Sequence, residues 1–258
     1  MLHVTEHGAP ASLPLLIVHG LFGSGRNWGV IARRLSDERY VLTPDMRNHG
    51  DSPHHENHGY PDLAEDLAEL IAVYGGQVDL VGHSMGGKAA MALALTRPDM
   101  VRRLIVADIA PVRYDHSQMH NIDAMRSVDL SSITRRSDAI AQLAPHVTDK
   151  ALQSFFTQSL DIANRRWKYN LDALAREMPK ILSFPDLAGS YSGETLFLTG
   201  AQSDYVRPEH RPQIRTLFPK ARFAKLQGAG HWLHADNPRG FEASLRAFLP
   251  LPDSTTPL

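Results

Sequence analysis

Short apolar runs recur along the chain with polar stretches between them: LLIVHG (15–20), RYVLTPD (39–45), VDLVGHS (78–84), RRLIVAD (102–108), ETLFLTG (194–200) and ARFAKLQ (221–227). Runs this short, rich in branched residues and bounded by turn formers, predict strands. The segments between them have another period. Residues 28–35 are amphipathic, and PDLAEDLAELIAVYG (61–75) puts Leu63, Leu67, Leu70 and Ile71 on one helical face. GKAAMALALTRP (87–98) is Ala-rich and ends at a proline, and NPRGFEASLRAFL (237–249) predicts a closing helix. Strands alternating with helices predict βαβ units, and so an α/β fold with a mainly parallel central sheet flanked by helices. MLHVTEHG at the start fits an antiparallel edge strand.

The alternation stops between Pro111 and Phe184. SQMHNIDAMRSV (117–128), SDAIAQLAP (137–145), KALQSFFTQSL (150–160) and NRRWKYNLDALAREM (164–178) carry helical periodicity without a clear strand. A helical block inside a strand–helix series predicts an insertion. Residues 1–110 and 185–258 would form the α/β core, and 111–184 a helical cap, or lid, over it. The tail PLPDSTTPL (250–258) is expected to fray.

Composition narrows the chemistry. The 258 residues are 43% hydrophobic and 21% charged, which is ordinary for a globular chain able to build a full core. A net charge of −1 supplies no basic field for nucleic acid or an anionic membrane surface. With no cysteine, disulfides, thiolate metal sites and a cysteine nucleophile are excluded. MLHVTEHGAPASLPLLIVHG has no basic n-region, and its apolar run leads straight into a glycine turn, so it reads as a strand rather than a signal peptide or membrane span. A cytoplasmic setting is therefore expected. Histidine is frequent, at 14, but HHENHGY (54–60) has neither zinc-finger nor HExxH spacing and reads as a solvated loop, not a metal site.

The stretch VDLVGHSMGGKAA (78–90) presses a serine between glycines where a strand stops and a helix begins. Gly82-His83-Ser84-Met85-Gly86 is the G-x-S-x-G pattern in that context. So tight a turn tips the Ser84 hydroxyl into the open, and the helix start offers N–H groups to developing negative charge. A base is expected late in the chain. In AGHWLHADNP (229–238), His231 follows Gly228-Ala229-Gly230, a loop able to bring an imidazole back over the sheet, whereas His234 reads as structural. Two carboxylates end strands on the right side: Asp108 in LIVADIAP and Asp204 in LTGAQSDYV. Asp108 is favoured because it ends the strand next after that of the nucleophile and faces the same crevice; Asp204 stays open as the alternative acid. The turn His19-Gly20-Leu21-Phe22-Gly23-Ser24 predicts an oxyanion donor at the Leu21 N–H, paired with that of Met85. Phe22 and His83 would line the substrate pocket. Phe155, Phe156, Trp167 and Leu171 would shape it from the cap, or else fill the cap's own core. The cap cations Arg165, Arg166 and Lys168 form a solvated face or meet a CoA phosphate.

These motifs resemble the α/β-hydrolase superfamily over nearly the whole chain: HGLFGS, DMRNHGDS (45–52), GHSMGG and GAGHWLHADNP occur in the family's order. DMRNHGDS is similar to the D-x-R-x-x-G-x-S turn, with Asn48 where many members have glycine, and Asp45 and Arg47 are expected to fix loops there. HGLFGS, RNHGDS, DIAP, RWKYNLDAL (166–174) and GAGHW also resemble a small esterase and acyl-CoA thioesterase subgroup. In that subgroup the acid follows the strand after the nucleophile strand and a serine takes the usual acid slot. The resemblance thus implies Asp108 as acid and Ser203 as an auxiliary partner of His231.

The expectation is a serine hydrolase that cleaves small carboxylic esters or acyl thioesters through a Ser84–His231–Asp108 acyl-enzyme, with no metal or organic cofactor. The alternatives are a C–C bond hydrolase or perhydrolase with the same residues, and a ligand-binding member without catalysis.

Overall fold

The computed structural model describes residues 1–251; the predicted frayed tail lies, from residue 252 on, outside them. In chain order the elements are β1 (Val4–His7), β2 (Leu15–Val18), α1 (Gly29–Leu35), β3 (Val41–Pro44), α2 (Tyr60–Val73), β4 (Val78–His83), α3 (Met85–Thr96) and β5 (Val101–Ala107). Next come α4 (Met119–Arg126), α5 (Arg136–Leu143), α6 (Lys150–Thr157), β6 (Leu160–Asp161), β7 (Arg166–Trp167) and α7 (Leu171–Leu182). The chain closes with β8 (Glu194–Gly200), α8 (Arg211–Leu217), β9 (Ala221–Leu226), α9 (Leu233–Asp236) and α10 (Pro238–Phe248). Seven strands form one sheet in the order β1-β3-β2-β4-β5-β8-β9, parallel except for β1, which pairs antiparallel with β3 at the edge. All six apolar runs are strands of this sheet, and MLHVTEHG supplies its antiparallel edge.

Alternation along the strands divides the sheet's apolar side chains between two cores. Leu16, Val18, Leu80, Leu104, Val106 and Phe197 face α2 and α3, whose Leu63, Leu67, Ile71, Met91 and Leu93 complete one core. Leu15, Ile17, Val81, Ile105 and Leu198 face the other way and pack on Ile31 and Leu35 of α1 and on Phe241 and Leu245 of α10. Strands buried on both faces read as unbroken apolar runs, which is why they were so visible.

Between β5 and β8 the chain forms α4 to α7 and a small β6–β7 hairpin around a third apolar cluster that includes Ile122, Met125, Leu143, Phe156, Trp167 and Leu174. The hairpin corrects the all-helical reading of 164–178. Trp167 and Tyr169 point inward while Lys168 between them is half-exposed, an extended alternation. The helix starts only at Leu171, where the Asn170 side chain accepts the Ala173 N–H at 3.2 Å. α8 had no clear signature in the sequence, since only Ile214 of its seven residues is fully buried. Among the described residues no helix is long and apolar enough to cross a membrane.

Candidate active site

From β2 the chain turns outward to β3, then crosses back to place β4 on the other side of β2. The loops after β2 and β4 therefore leave in opposite directions and open a crevice at the carboxyl ends of the strands. Ser84 stands there, in the one-residue turn between β4 and α3, at φ 52° and ψ −119°. That conformation is strained for any L-residue. It is held by the Ser84 N–H donating to Ala107 O at 3.0 Å and the Lys88 N–H donating to Ser84 O at 3.0 Å. The flanking glycines are required by contact. A Cβ at Gly82 would lie 2.3 Å from Gly86 O, and one at Gly86 2.5 Å from His19 O.

The Ser84 Oγ lies 3.1 Å from His231 Nε2, and His231 Nδ1 lies 2.8 Å from Asp108 Oδ2. Asp108 is fully buried, at φ 52°, one residue past β5. Its carboxylate also accepts from the Gly200 N–H at 3.1 Å and from the Ser203 hydroxyl at 2.5 Å. Ser203 is thus bound to the acid and not to His231, a correction to its expected role: the turn after β8 presents its hydroxyl beneath the carboxylate. Asp204 is not brought to the imidazole. Its side chain is 83% exposed and pairs with Arg207 at 3.4 Å. One position past Ser203, it turns to solvent instead of the acid site. Tyr205, which sequence reasoning missed, stacks its ring on His231 with centroids 3.8 Å apart at 16°. His234 lies instead against Trp28, ring centroids 4.2 Å apart.

The turn after β2 faces Ser84: a Cβ at Gly20 would sit 3.2 Å from Ser84 Cβ. Gly20 O accepts from His19 Nδ1 at 2.8 Å and from the Gly23 N–H at 2.9 Å, which fixes the peptide plane carrying the Leu21 N–H. His19 Nε2 accepts the Met46 N–H at 2.9 Å, so Nδ1 holds the proton. Met85, the first residue of α3, presents its N–H at the positive end of the helix dipole. Behind this turn lie two more buried imidazoles. His49 Nε2 accepts the Phe22 N–H at 3.2 Å, and His58 Nε2 lies 3.3 Å from Met85 Sδ. Burial holds His19 and His49 below the ordinary imidazole range, His49 far below with help from its neighbours His19 and His58. Burial likewise takes His58 down to about 3. DMRNHGDS fixes loops as expected. Asp45 accepts the Gly25 and Asp51 N–H groups, and Arg47 makes a two-pronged pair with Asp66 at 2.5 and 2.8 Å.

A cavity of about 260 Å³ opens over Ser84. Phe22, His83, Phe155 and Phe156 line it with Leu152, Ile181 and Trp232. Trp167 does not. It is buried in the apolar cluster between α4 and α7, where its Nε1–H donates to Met125 O at 2.9 Å. Its place on the inward side of the β6–β7 hairpin puts it behind the pocket wall, and Leu171 is likewise outside the cavity lining. Lys168 is paired with Asp51 and Arg166 with Asp161. Lys88 was missed. It is 1% exposed, lines the cavity, and donates to Leu182 O at 2.9 Å and Ser183 O at 2.6 Å. Its ammonium lies 4.8 Å from the Tyr114 ring centroid, and burial pulls it down to about 7. The signal was a lone charge in a helix apolar all round. Of metal-type side chains, His3, Asp45 and Asp51 converge among the described residues; Asp45 there is already committed to backbone N–H groups.

Residues 14–238 match the family described as the alpha/beta hydrolase fold. Over 251 residues the chain is 42% identical to the sn-1-specific diacylglycerol lipase ABHD11 of Mus musculus, spanning 93% of this chain and 82% of that one. It is 35% identical over 241 residues to the esterase YbfF of Escherichia coli strain K12, spanning 92% of each. Among solved structures, a marine microorganism esterase superposes with a TM-score of 0.91 at 38% identity, over 96% of this chain and 99% of that one.

Proposed function

The chain belongs to the alpha/beta hydrolase fold family, and from that premise we propose that it is a carboxylesterase-type serine hydrolase acting on small esters or acyl thioesters. The observation that carries this reading is the unbroken hydrogen-bond chain Ser84–His231–Asp108, at 3.1 and 2.8 Å, on the floor of an apolar-walled cavity. The relatives named as esterases and a lipase support it.

In the first half-reaction His231 Nε2 takes the Ser84 proton as Oγ attacks the substrate carbonyl. The oxyanion accepts from the Leu21 and Met85 N–H groups, which are fixed before the substrate arrives and need no reorganisation. Asp108 holds His231 in the tautomer with the proton on Nδ1 and stabilises the imidazolium. His231 then protonates the departing alcohol or thiol, leaving the acyl group on Ser84. Water, deprotonated by the same imidazole, repeats the attack and releases the acid. Residues 111–184 act as a cap whose Leu152, Phe155 and Phe156 form the apolar wall for the acyl chain. About 260 Å³ is below the roughly 300–1,000 Å³ of pockets for drug-sized ligands, which favours short to medium acyl groups.

A chain-length series of p-nitrophenyl esters beside the matching acyl-CoAs, run on wild type and Ser84→Ala, tests the proposal. Turnover that peaks at short to medium chains and falls by about 10⁵ or more in Ser84→Ala is expected. Substantial turnover by the variant would count against it. The acyl-CoA arm assigns the preferred leaving group.

A further inference from the structure

Both peptide groups that flank Leu21 are pinned by a buried imidazole. On the amino side, Gly20 O accepts from His19 Nδ1. On the carboxyl side, the Phe22 N–H is drawn away from the cavity to His49 Nε2 at 3.2 Å. Phe22 itself stands at φ 61°, a left-handed conformation that a bulky side chain rarely adopts. Its carbonyl is tied to the Tyr169 hydroxyl at 2.6 Å and its ring meets Phe156 edge-on at 5.5 Å. Within HGLFGS the turn is closed by the Gly23 N–H on Gly20 O at 2.9 Å, but a phenylalanine at this position opposes the left-handed conformation. The turn's own bond is reinforced from outside, and His49 is placed to do so. Its Nδ1–H donates to Arg47 O at 2.9 Å, so the lone pair stays on Nε2, and Arg47 is in turn locked to Asp66 on α2.

We propose that His49 is a positioning residue for the oxyanion site: by accepting the Phe22 N–H it holds the turn in the one conformation that aims the Leu21 N–H at the reacting carbonyl oxygen. The assignment rests on the hydrolase reading above and deepens it. The oxyanion donor is a backbone group, so no substitution at position 21 short of proline removes it; its aim is set by the peptides on either side. With His49 gone, the Phe22 N–H would be a buried donor without an acceptor, and the turn would relax to satisfy it. Catalysis would suffer because the donor must meet the oxygen as it becomes charged, while ground-state binding in the apolar cavity would be spared.

The test uses three substitutions. His49→Phe keeps a ring of similar size without an acceptor, His49→Gln carries an amide oxygen to the place of Nε2, and His49→Asn carries one only as far as Nδ1. Each is assayed with p-nitrophenyl butyrate, and with a trifluoromethyl ketone whose adduct on Ser84 bears the oxyanion. His49→Phe is expected to lower kcat by about 100-fold, leave KM within about threefold, and weaken the ketone by a factor similar to that in kcat. His49→Gln should regain about tenfold of the lost kcat. Wild-type kcat and ketone affinity in a folded His49→Phe would overturn the assignment, as would equal losses in Phe and Gln. Should His49→Phe not fold, the Gln and Asn variants decide: the assignment requires Gln to exceed Asn in kcat, and equality overturns it. A wild type that neither hydrolyses esters nor forms the ketone adduct would sink the hydrolase reading itself. An active wild type with indifferent His49 variants sinks only this assignment.

Discussion

Asp108 takes three hydrogen bonds, from the imidazole of His231, the N–H of Gly200 at the end of β8 and the Ser203 hydroxyl in the turn that follows, while itself fully buried. A carboxylate out of water needs its lone pairs occupied in this way. The same environment commits it to one rotamer, with Oδ2 under His231 Nδ1. Asp108→Asn would place an amide against that nitrogen and favour the wrong tautomer, so kcat for ester hydrolysis should fall by about 10⁴. Asp204→Asn, at an exposed position paired with Arg207, should stay within about twofold. Steady-state kinetics of the two variants side by side check this, and a larger loss from Asp204→Asn would reverse the assignment. Ser84 and His231 were legible in the sequence because glycines crowd the turns that present them. The bond from Ser203 to Asp108, the ring of Tyr205 on His231 and the hold of His49 on Phe22 were not, because each joins residues far apart in the chain with no period to betray them.

Helix α7 shows what a period can and cannot reveal. Its amphipathic face announced it, but not how it is moored above the sheet. Asn170 at its start donates to Asn48 Oδ1 at 3.1 Å, and Tyr60 from α2 donates to Ile181 O at 2.6 Å. Lys88 from α3 takes the last carbonyls, where a cation also meets the negative end of the helix dipole. Burial opposes that charge and brings Lys88 to about 7, against roughly 10.4 in an unfolded chain. Between those values the unfolded state holds a proton that the folded state has released, so stability rises with pH there, by up to about 1.4 kcal/mol per unit. Below pH 7 both states hold it and the slope vanishes. Lys88→Met should abolish the rise. Urea unfolding of both proteins at pH 7 and pH 9 measures it, and parallel pH dependences would show that Lys88 stays charged throughout.

Across the whole molecule, the strand–helix alternation foretold the sheet, its antiparallel edge and its two-faced burial. Composition could not foretell that so many histidines would be interior. His19, His49, His58 and His83 are each no more than 2% exposed and clustered around the turns that carry Leu21 and Ser84. Burial lowers all four, and His58 takes a proton in the fold only at about 3. The unfolded chain takes these protons near pH 6.5, so stability is intact above that value and is lost as pH falls below it, at about 1.4 kcal/mol per unit for each group. Acid unfolding should therefore begin just below pH ~6 with uptake of roughly three or more protons, read from the shift of the urea midpoint with pH. A midpoint that is flat from pH 6.5 to about 4.5 would mean the cluster is charged in the fold.

One alcohol among the serines and threonines of this chain should be nucleophilic. Treating the folded wild type with a fluorophosphonate and locating the adduct by peptide mass spectrometry reads that out directly. A single adduct on Ser84, absent in Ser84→Ala and formed in step with the loss of esterase turnover, is the expected result. Full turnover with Ser84 unmodified, or an adduct on another residue, would contradict it.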